Sequence, residues 1–464
     1  MSIGRLMDTA TKTMQTYQEA IDIASHNISN SGNTNYTRQK VVFSPVVAEN
    51  ASGAGVKISD IQRIRDTLND TQVRQYTSLN SNAQTSANNL SQIETIISEP
   101  TDDGISNYIT SFFNTWSSLT TDPTSTSTRS NVVAAAQQVS GRFQEIFSGL
   151  DKVKASVSDD MTVKVNQMNT DLQQITTLNK EIFNTQVGGN KANDLQDQRD
   201  KVINDLSTLA NITVSMDDKG CANVSVGGIQ AADMNNYNQF KVLNDNGKVK
   251  IVSISDNNTS VCLNDGKLAA DVDLYTNKIP SYYSSYQNLA TNFANSVNTI
   301  HKTGFTLEQN GTSSTNINFF GKDDGTGNWE VMDGEQLVIN QDIVNNPADI
   351  AASDTASNDG NGNIASKIAA LNDTKISGLN NQTFIDYYNS ILSQVGSDKT
   401  SSDNTVSSSN LILQQLQSQT SSVSGVSMDE EMSNILIYQR GYQAASKIVS
   451  IADQLLQTLI GMLT

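Results

Sequence analysis

Two heptad seams, one near each extremity, constrain this chain more than any other feature. Ile3, Met7, Ala10, Met14, Tyr17, Ile21, Ala24 and Ile28 follow one another at alternating spacings of four and three. Tyr438, Tyr442, Ala445, Val449, Ala452, Leu456, Leu459 and Leu463 do the same. Residues so spaced share one stripe of an α-helix, and a stripe kept at a mean period of 3.5 seeks a partner helix. The first seam stops at Asn30, Ser31, Gly32 and Asn33, a turn-rich cluster that a helix crosses at a cost. Most amphipathic helices pack on their own domain, and that reading stands beside a second, in which the two stripes pair with each other and with copies from neighbouring molecules. Ordering a residue costs about 1 to 2 kcal/mol, while burying a large apolar side chain returns about 1.5 to 3 kcal/mol. A lone pair is therefore marginal, and the ends are expected to be mobile in the monomer and to order on assembly. A head-to-tail contact that does not close builds a tube.

Between the seams the period changes several times. Residues 34–58 read as extended chain around Val41, Val42 and Phe43. A helix is expected from Ser59 to Ser98 along Ile61, Ile64, Leu68, Tyr76, Leu79, Ala83, Leu90, Ile93 and Ile97, with Pro100 closing it. Further helices are expected over Ile105–Leu119, which carries Trp116, over about Asn131–Gln186, after the break at Gly188 and Gly189, and over Tyr282–Lys302. Short alternating runs with Asp-Gly and Gly-Gly turns mark Ile212–Ala270 as a β insertion. A last helical segment is expected from about Ser401 to the end. The fold class is mainly α with β insertions: an elongated, multi-domain chain with terminal coiled-coil helices, a long helical bundle and a small β domain. The expected domains are residues 1–40 with 420–464, 41–210 with 276–419, and 211–275.

Composition removes several functions. The 464 residues carry 30 Lys and Arg against 48 Asp and Glu, a formal charge of -18, which repels phosphate backbones and anionic headgroups and disfavours nucleic-acid or membrane partners. No apolar run is long enough to span a bilayer as a helix, and Met1–Thr13 lacks the apolar core of a secretory signal. Cys221 and Cys262 have no CxxC-type spacing and read as two buried free thiols, with a disulfide inside the β unit as the alternative. His26 and His301 belong to no metal motif and are expected to cap or pack. No phosphate loop, dinucleotide fingerprint or nucleophile elbow occurs, and neither a cofactor nor a metal is expected. Asp102 with Asp103, and Asp429, Glu430 and Glu431, are acidic groups at helix ends. A wall-degrading glycosidase using two such acids, and a secreted coiled-coil adhesin or toxin, are the alternatives to a polymerising subunit.

The segment YQEAIDIASHNISNSGNTNYTRQKVVF, Tyr17–Phe43, resembles the amino-terminal segment of the flagellar rod, hook and junction protein family, and Ser424–Leu463 resembles its carboxyl-terminal one. Asn190–Gly220, Phe293–Gly311 and the later NFFG and PADIAAS are similar to segments of the hook-associated branch of that family. The resemblance implies a non-enzymatic subunit, assembled as a ring or tube of copies between hook protein on one side and a second junction protein or flagellin on the other. It implies an extracellular flagellar location reached by type III export without a cleaved signal peptide. It also implies a cytoplasmic export chaperone on about Met432–Leu463, with Met432, Tyr438, Tyr442, Val449, Leu456 and Leu459 as contacts. The β portion is small for the family.

Overall fold

The computed structural model describes residues 3–46, 55–97, 104–245 and 247–462. Helix α1 (Ile3–Ser29) leads into the antiparallel hairpin β1 (Gln39–Pro45) and β2 (Val56–Arg63), which lies back along α1. Helix α2 (Thr67–Ile97) follows, then α3 (Ile105–Thr121), α4 (Thr126–Val187) and α5 (Asn193–Leu209). Two antiparallel three-stranded sheets come next: β3 (Ile212–Met216), β4 (Ala222–Val226) and β5 (Ile229–Ala232), then β6 (Phe240–Asp245), β7 (Lys248–Ser253) and β8 (Thr259–Ser260). Helix α6 (Lys267–Asp273) runs through a π-turn at Leu274–Lys278 into α7 (Ile279–His301). Two short hairpins, β9 (Lys322–Asp323) with β10 (Trp329–Glu330) and β11 (Met332–Asp333) with β12 (Gln336–Leu337), precede α8 (Gln341–Asn345) and α9 (Asn363–Ala369). The long helices α10 (Phe384–Ser424) and α11 (Met428–Gly461) complete the chain.

Four expectations are corrected. Ile61 lies on strand β2, opposite Val41, and Ile64 follows it, so neither belongs to a helix. The helix begins only after Asp66, whose Oδ1 accepts the Leu68 and Asn69 N–H groups at 3.0 and 3.1 Å, and Leu68, counted in the apolar face, is 69% exposed. The last helical segment starts at Phe384 rather than Ser401 and is broken at Gly425–Ser427. Ser427 caps α11 by accepting the Glu430 N–H, and Thr383 caps α10 at Asp386. The expected β insertion at 212–270 gives way to helix α6 from Lys267, so the helix expected at Tyr282 begins well before it. The thiols are both free, Cys221 buried as expected and Cys262 exposed.

Helix α4, 62 residues long, spans roughly 90 Å at 1.5 Å per residue, and α3, α5, α6 and α7 pack along it. Its core is aromatic: Phe112, Phe113, Phe293, Phe319 and Phe320 meet at centroid distances of 4.9 to 5.9 Å. The family-like motifs prove to be its polar staples. Asn298 accepts the Phe319 and Phe320 N–H groups and donates to the Phe320 carbonyl. Arg129, buried at the start of α4, donates to the carbonyls of Pro123 (2.7 Å) and Ile350 (2.6 Å), which fixes the PADIAAS turn. Asn179 on α4 and Arg199 on α5 hold the first sheet: Asn179 pairs with both the N–H and the C=O of Ala222, and Arg199 donates to the Gly220 carbonyl at 2.8 Å.

Helices α2 and α10 run antiparallel as a stem whose Ile97–Phe384 end joins the main core. Asn69 donates to Thr420 Oγ1 (2.6 Å), Asn80 to Ser409 Oγ (2.8 Å), and Tyr388 to the Ile97 carbonyl (2.9 Å) at the far end. The β insertion leaves and rejoins the bundle at one point. Gly266, with φ +89°, sits so close to Ala210 that an added Cβ would lie 2.6 Å from its backbone, and Asn211 accepts the Asn264 N–H.

His301 is fully buried against Trp116 and Phe319. Its Nδ1–H donates to the Ile317 carbonyl at 2.7 Å and its Nε2 accepts the Ala351 N–H at 2.8 Å, a packing role of the kind expected. Burial pushes its pKa down from 6.5 to about 4. The unfolded chain therefore takes up a proton below pH 6.5 while the folded chain does not until about pH 4, so this stability is present above pH 6.5 and lost as pH falls. At about 1.4 kcal/mol per pH unit, the loss between pH 7 and pH 5 is on the order of 2 kcal/mol. Urea unfolding of His301→Gln should lack that component of the pH dependence. An unchanged slope over this window would show that His301 does not carry it.

Candidate assembly interface

The two seams face each other. Helix α11 runs antiparallel to α1, with Glu431 beside Asn27 and Tyr438 beside Tyr17. Small residues set the spacing: Ala10, Ala24, Ala445 and Ala452 are buried, which lets the backbones approach. Gly441 is needed for the same reason, since a Cβ there would lie 2.5 Å from the Tyr17 ring. That ring closes a cluster with Phe43 (6.0 Å) and Tyr438 (6.4 Å), so hairpin and both helices share one aromatic contact. Ile3, Met7, Met14, Tyr17, Ile21 and Ile28 are half-buried on the α1 side, and so are Tyr438, Tyr442, Val449 and Leu456 on α11. Leu459 is 49% and Met432 55% exposed. Leu463 lies outside the described residues.

A second apolar stripe on α11 was not anticipated. Ile437, Ile448, Ile451, Leu455 and Met462 are all exposed. Each stands one residue ahead of a seam position: 437 before 438, 448 before 449, 451 before 452, 455 before 456 and 462 before 463. The signal was present in these apolar doublets. Two adjacent stripes on one helix serve two neighbours, whereas a single heptad seam serves one. In the chain by itself α1 covers the first stripe as far as Leu456 and leaves the second open.

At the head of the pair the turn and strand form a polar knot. Asn27, fully buried, donates to the Gln39 carbonyl (2.8 Å) and Glu431 Oε2 (3.1 Å), and accepts from the Gln39 N–H (3.0 Å) and the Tyr36 hydroxyl (2.7 Å). Arg38 donates to Glu431 (2.8 Å) and Glu430 (2.7 Å), and its backbone N–H to the Ser424 carbonyl (3.0 Å). Helix α5 supplies the other side. Asp197 accepts the Thr37 N–H (3.0 Å) and forms an ion pair with Arg63 (2.6 Å), Asp194 accepts from Gln39 (3.0 Å), and Asp200 pairs with Arg63 and Arg65. Burial, with Asp194, Asp197 and Glu431 nearby, raises the Tyr36 pKa well above its usual value, so its hydroxyl stays a donor to Asn27.

His26 sits at this knot, its ring edge-on to Tyr36 with Nδ1 3.3 Å from the hydroxyl and Nε2 4.0 Å from Asp194. Glu430 and Glu431 are held on Arg38, so neither is a free acid or base, while Asp429 is exposed. Asp102 and Asp103 lie outside the described residues. Among the described residues no group of three His, Cys, Asp or Glu side chains could hold a metal ion. Chemically the arrangement fixes angles between elements.

Asn27→Ala would strand buried donors and acceptors from the turn, the strand and α11 at about 1 to 3 kcal/mol for each unsatisfied group. The expected result is faster proteolysis at residues 30–38 and lower thermal stability of the terminal pair, with the α4 core unchanged. Unaltered cleavage would show that the amide is dispensable.

Comparison with known proteins gives the arrangement its context. The family model for the FlgK helical domain of flagellar hook-associated protein matches residues 90–320, and that for the C-terminal part of flagellar basal body rod FlgEFG proteins matches residues 417–462. Flagellar hook-associated protein 1 of Bacillus subtilis is 29% identical over 98% of this chain and 97% of its own length. That of Salmonella typhimurium is 23% identical over 99% and 100%. The latter alignment has 556 positions against 464 residues here, so the Salmonella protein holds at least 92 residues without a counterpart. The flagellar hook junction protein FlgK from Burkholderia pseudomallei shares the fold, with a TM-score of 0.61 at 14% identity over 76% of this chain and the whole of that one. Matched by its helical domain, by its carboxyl-terminal segment and by relatives along nearly its whole length, the chain belongs to the flagellar hook-associated protein 1 (FlgK) family.

Proposed function

We propose that this chain is a structural subunit of the bacterial flagellum that joins hook to filament by polymerising through the paired helices α1 and α11. The observation that carries this reading is the uncovered stripe Ile437, Ile448, Ile451, Leu455 and Met462 beside the stripe that α1 covers. An apolar strip of this length on an isolated chain marks a contact surface. Its partners are further copies of the chain, hook protein on one side, and a second junction protein or flagellin on the other. The terminal pair lines the inner tube, and the α4 bundle with its β sheets stands outside.

The reading also includes an extracellular flagellar location, reached by export without a cleaved signal peptide. No described helix is long and apolar enough to cross a membrane. A cytoplasmic chaperone on Met432–Leu463 fits the same physics, because the open stripe invites aggregation before export. Tyr438, Tyr442, Val449 and Leu456 face α1 here, so a chaperone that uses them displaces α1. One that stays beside α1 uses Met432, Leu459 and the second stripe. The chain is not an enzyme: its family is structural, which sets aside the glycosidase and adhesin alternatives.

In a strain lacking its junction proteins, the parent chain should restore filament attachment. Ile448→Asp with Ile451→Asp should be exported and folded yet reduce attachment by about tenfold or more, each charge costing several kcal/mol at a closed contact. Full attachment by the double variant would remove the second stripe from the mechanism. Amide exchange should also be faster in α1 and α11 than in α4 for the dilute chain, and slow markedly in the polymer. Equal protection of the ends in both states would contradict ordering on assembly.

A further inference from the structure

Between β2, the start of α2, α5 and the edge of the β3–β4–β5 sheet lies an open cleft of about 960 Å³. Most of its ionic groups are already matched. Arg63 and Arg65 close on Asp200, Arg65 also on Asp70 at 2.9 Å, and Lys191 on Asp60. Arg74 is different. Half-buried on α2, it donates one hydrogen bond, from Nη2 to Thr71 Oγ1 at 3.2 Å, and burial lowers its pKa even with Asp70 and Asp200 in its field. A guanidinium that has lost part of its water while most of its donors stay unfilled is poised for a carboxylate, which it grips in bidentate fashion. Leu68 and Met216, 69% and 54% exposed, line the same cleft and offer apolar contact beside the charge.

We propose that Arg74 receives a carboxylate from a neighbouring copy of this chain, making the cleft a contact between subunits of the polymer. The inference rests on the assembly reading above. A second copy is the occupant that charge favours: with 48 acidic and 30 basic residues, copies repel one another at long range, so close stacking needs sites where the sign is locally reversed. Arg74 is such a site, and the surface that would approach it is predominantly acidic.

The test compares sedimentation of the full-length parent, R74E and R74Q at neutral pH. R74E should raise the concentration needed for polymer by about tenfold or more, and R74Q by several-fold, as for other desolvated charge contacts. Salt screens both the long-range repulsion and the Arg74 contact, so between about 50 and about 500 mM the parent should gain less assembly, or lose more, than R74Q. R74Q should melt close to the parent as a monomer, since it loses one bond to Thr71 and only unpaired, screened attraction to Asp70 and Asp200. If R74E polymerises at the parental concentration, the assignment is wrong while the assembly reading stands. If the melting temperature of monomeric R74Q falls in step with its assembly, Arg74 is a structural residue and the assignment is again wrong. If R74E self-assembles normally but no longer joins isolated hooks, the carboxylate belongs to hook protein, not to a second copy. If the parent forms no polymer under any of these conditions, the assembly reading fails and this inference with it.

Discussion

One buried side-chain amide organises the end of the molecule that matters most. Asn27 uses all four of its hydrogen-bonding positions on groups from three chain segments: the turn after α1, strand β1 and the start of α11. Because a buried amide tolerates no idle donor or acceptor, those segments can be joined in one way. Arg38 extends the constraint by holding Glu430 and Glu431 through its side chain and Ser424 through its backbone. Asp194, Asp197 and Asp200 carry it into the body through α5. The terminal pair thus has a fixed direction relative to the bundle, without which a seam would pair but not point.

The terminal seams were legible because a heptad run of eight apolar positions leaves little freedom of interpretation. What lay beside them was not. Ile61 and Ile64 fall at helical spacing with Leu68, yet strand pairing to Val41 and the cap at Asp66 decide the local structure. Both depend on partners that a periodicity count ignores. The break at Gly425–Ser427 is signalled only by one glycine among serines, and two contacts complete it: Ser427 caps α11, and the Arg38 N–H, distant in sequence, binds the Ser424 carbonyl. The second stripe of α11 is masked for a plainer reason: a heptad count finds one seam, and doublets such as Ile448–Val449 satisfy it with a single member.

The motifs that suggested the family resolve into separate physical jobs. Arg199 and Asp200 are adjacent in sequence but act in opposite directions, the first toward the β sheet at Gly220 and the second toward Arg63 and Arg65. Asn298 and Arg129 pin loop backbone that has little regular structure of its own. The stem of α2 and α10 is held by asparagine amides where a soluble bundle would use leucine. Its modest apolar content suits an element whose task is to connect two parts.

The meeting of Ala210 with Gly266 has a consequence for how such chains diversify. A module whose entrance and exit touch leaves the register of the surrounding helices untouched, whatever its own size. New material can be spliced in there at the entropic cost of a closed loop, which grows only slowly with length, so long as the strands that pack on α4 are kept. The same doorway is a natural graft point for a displayed domain, because a foreign insert there leaves the helices on either side in place.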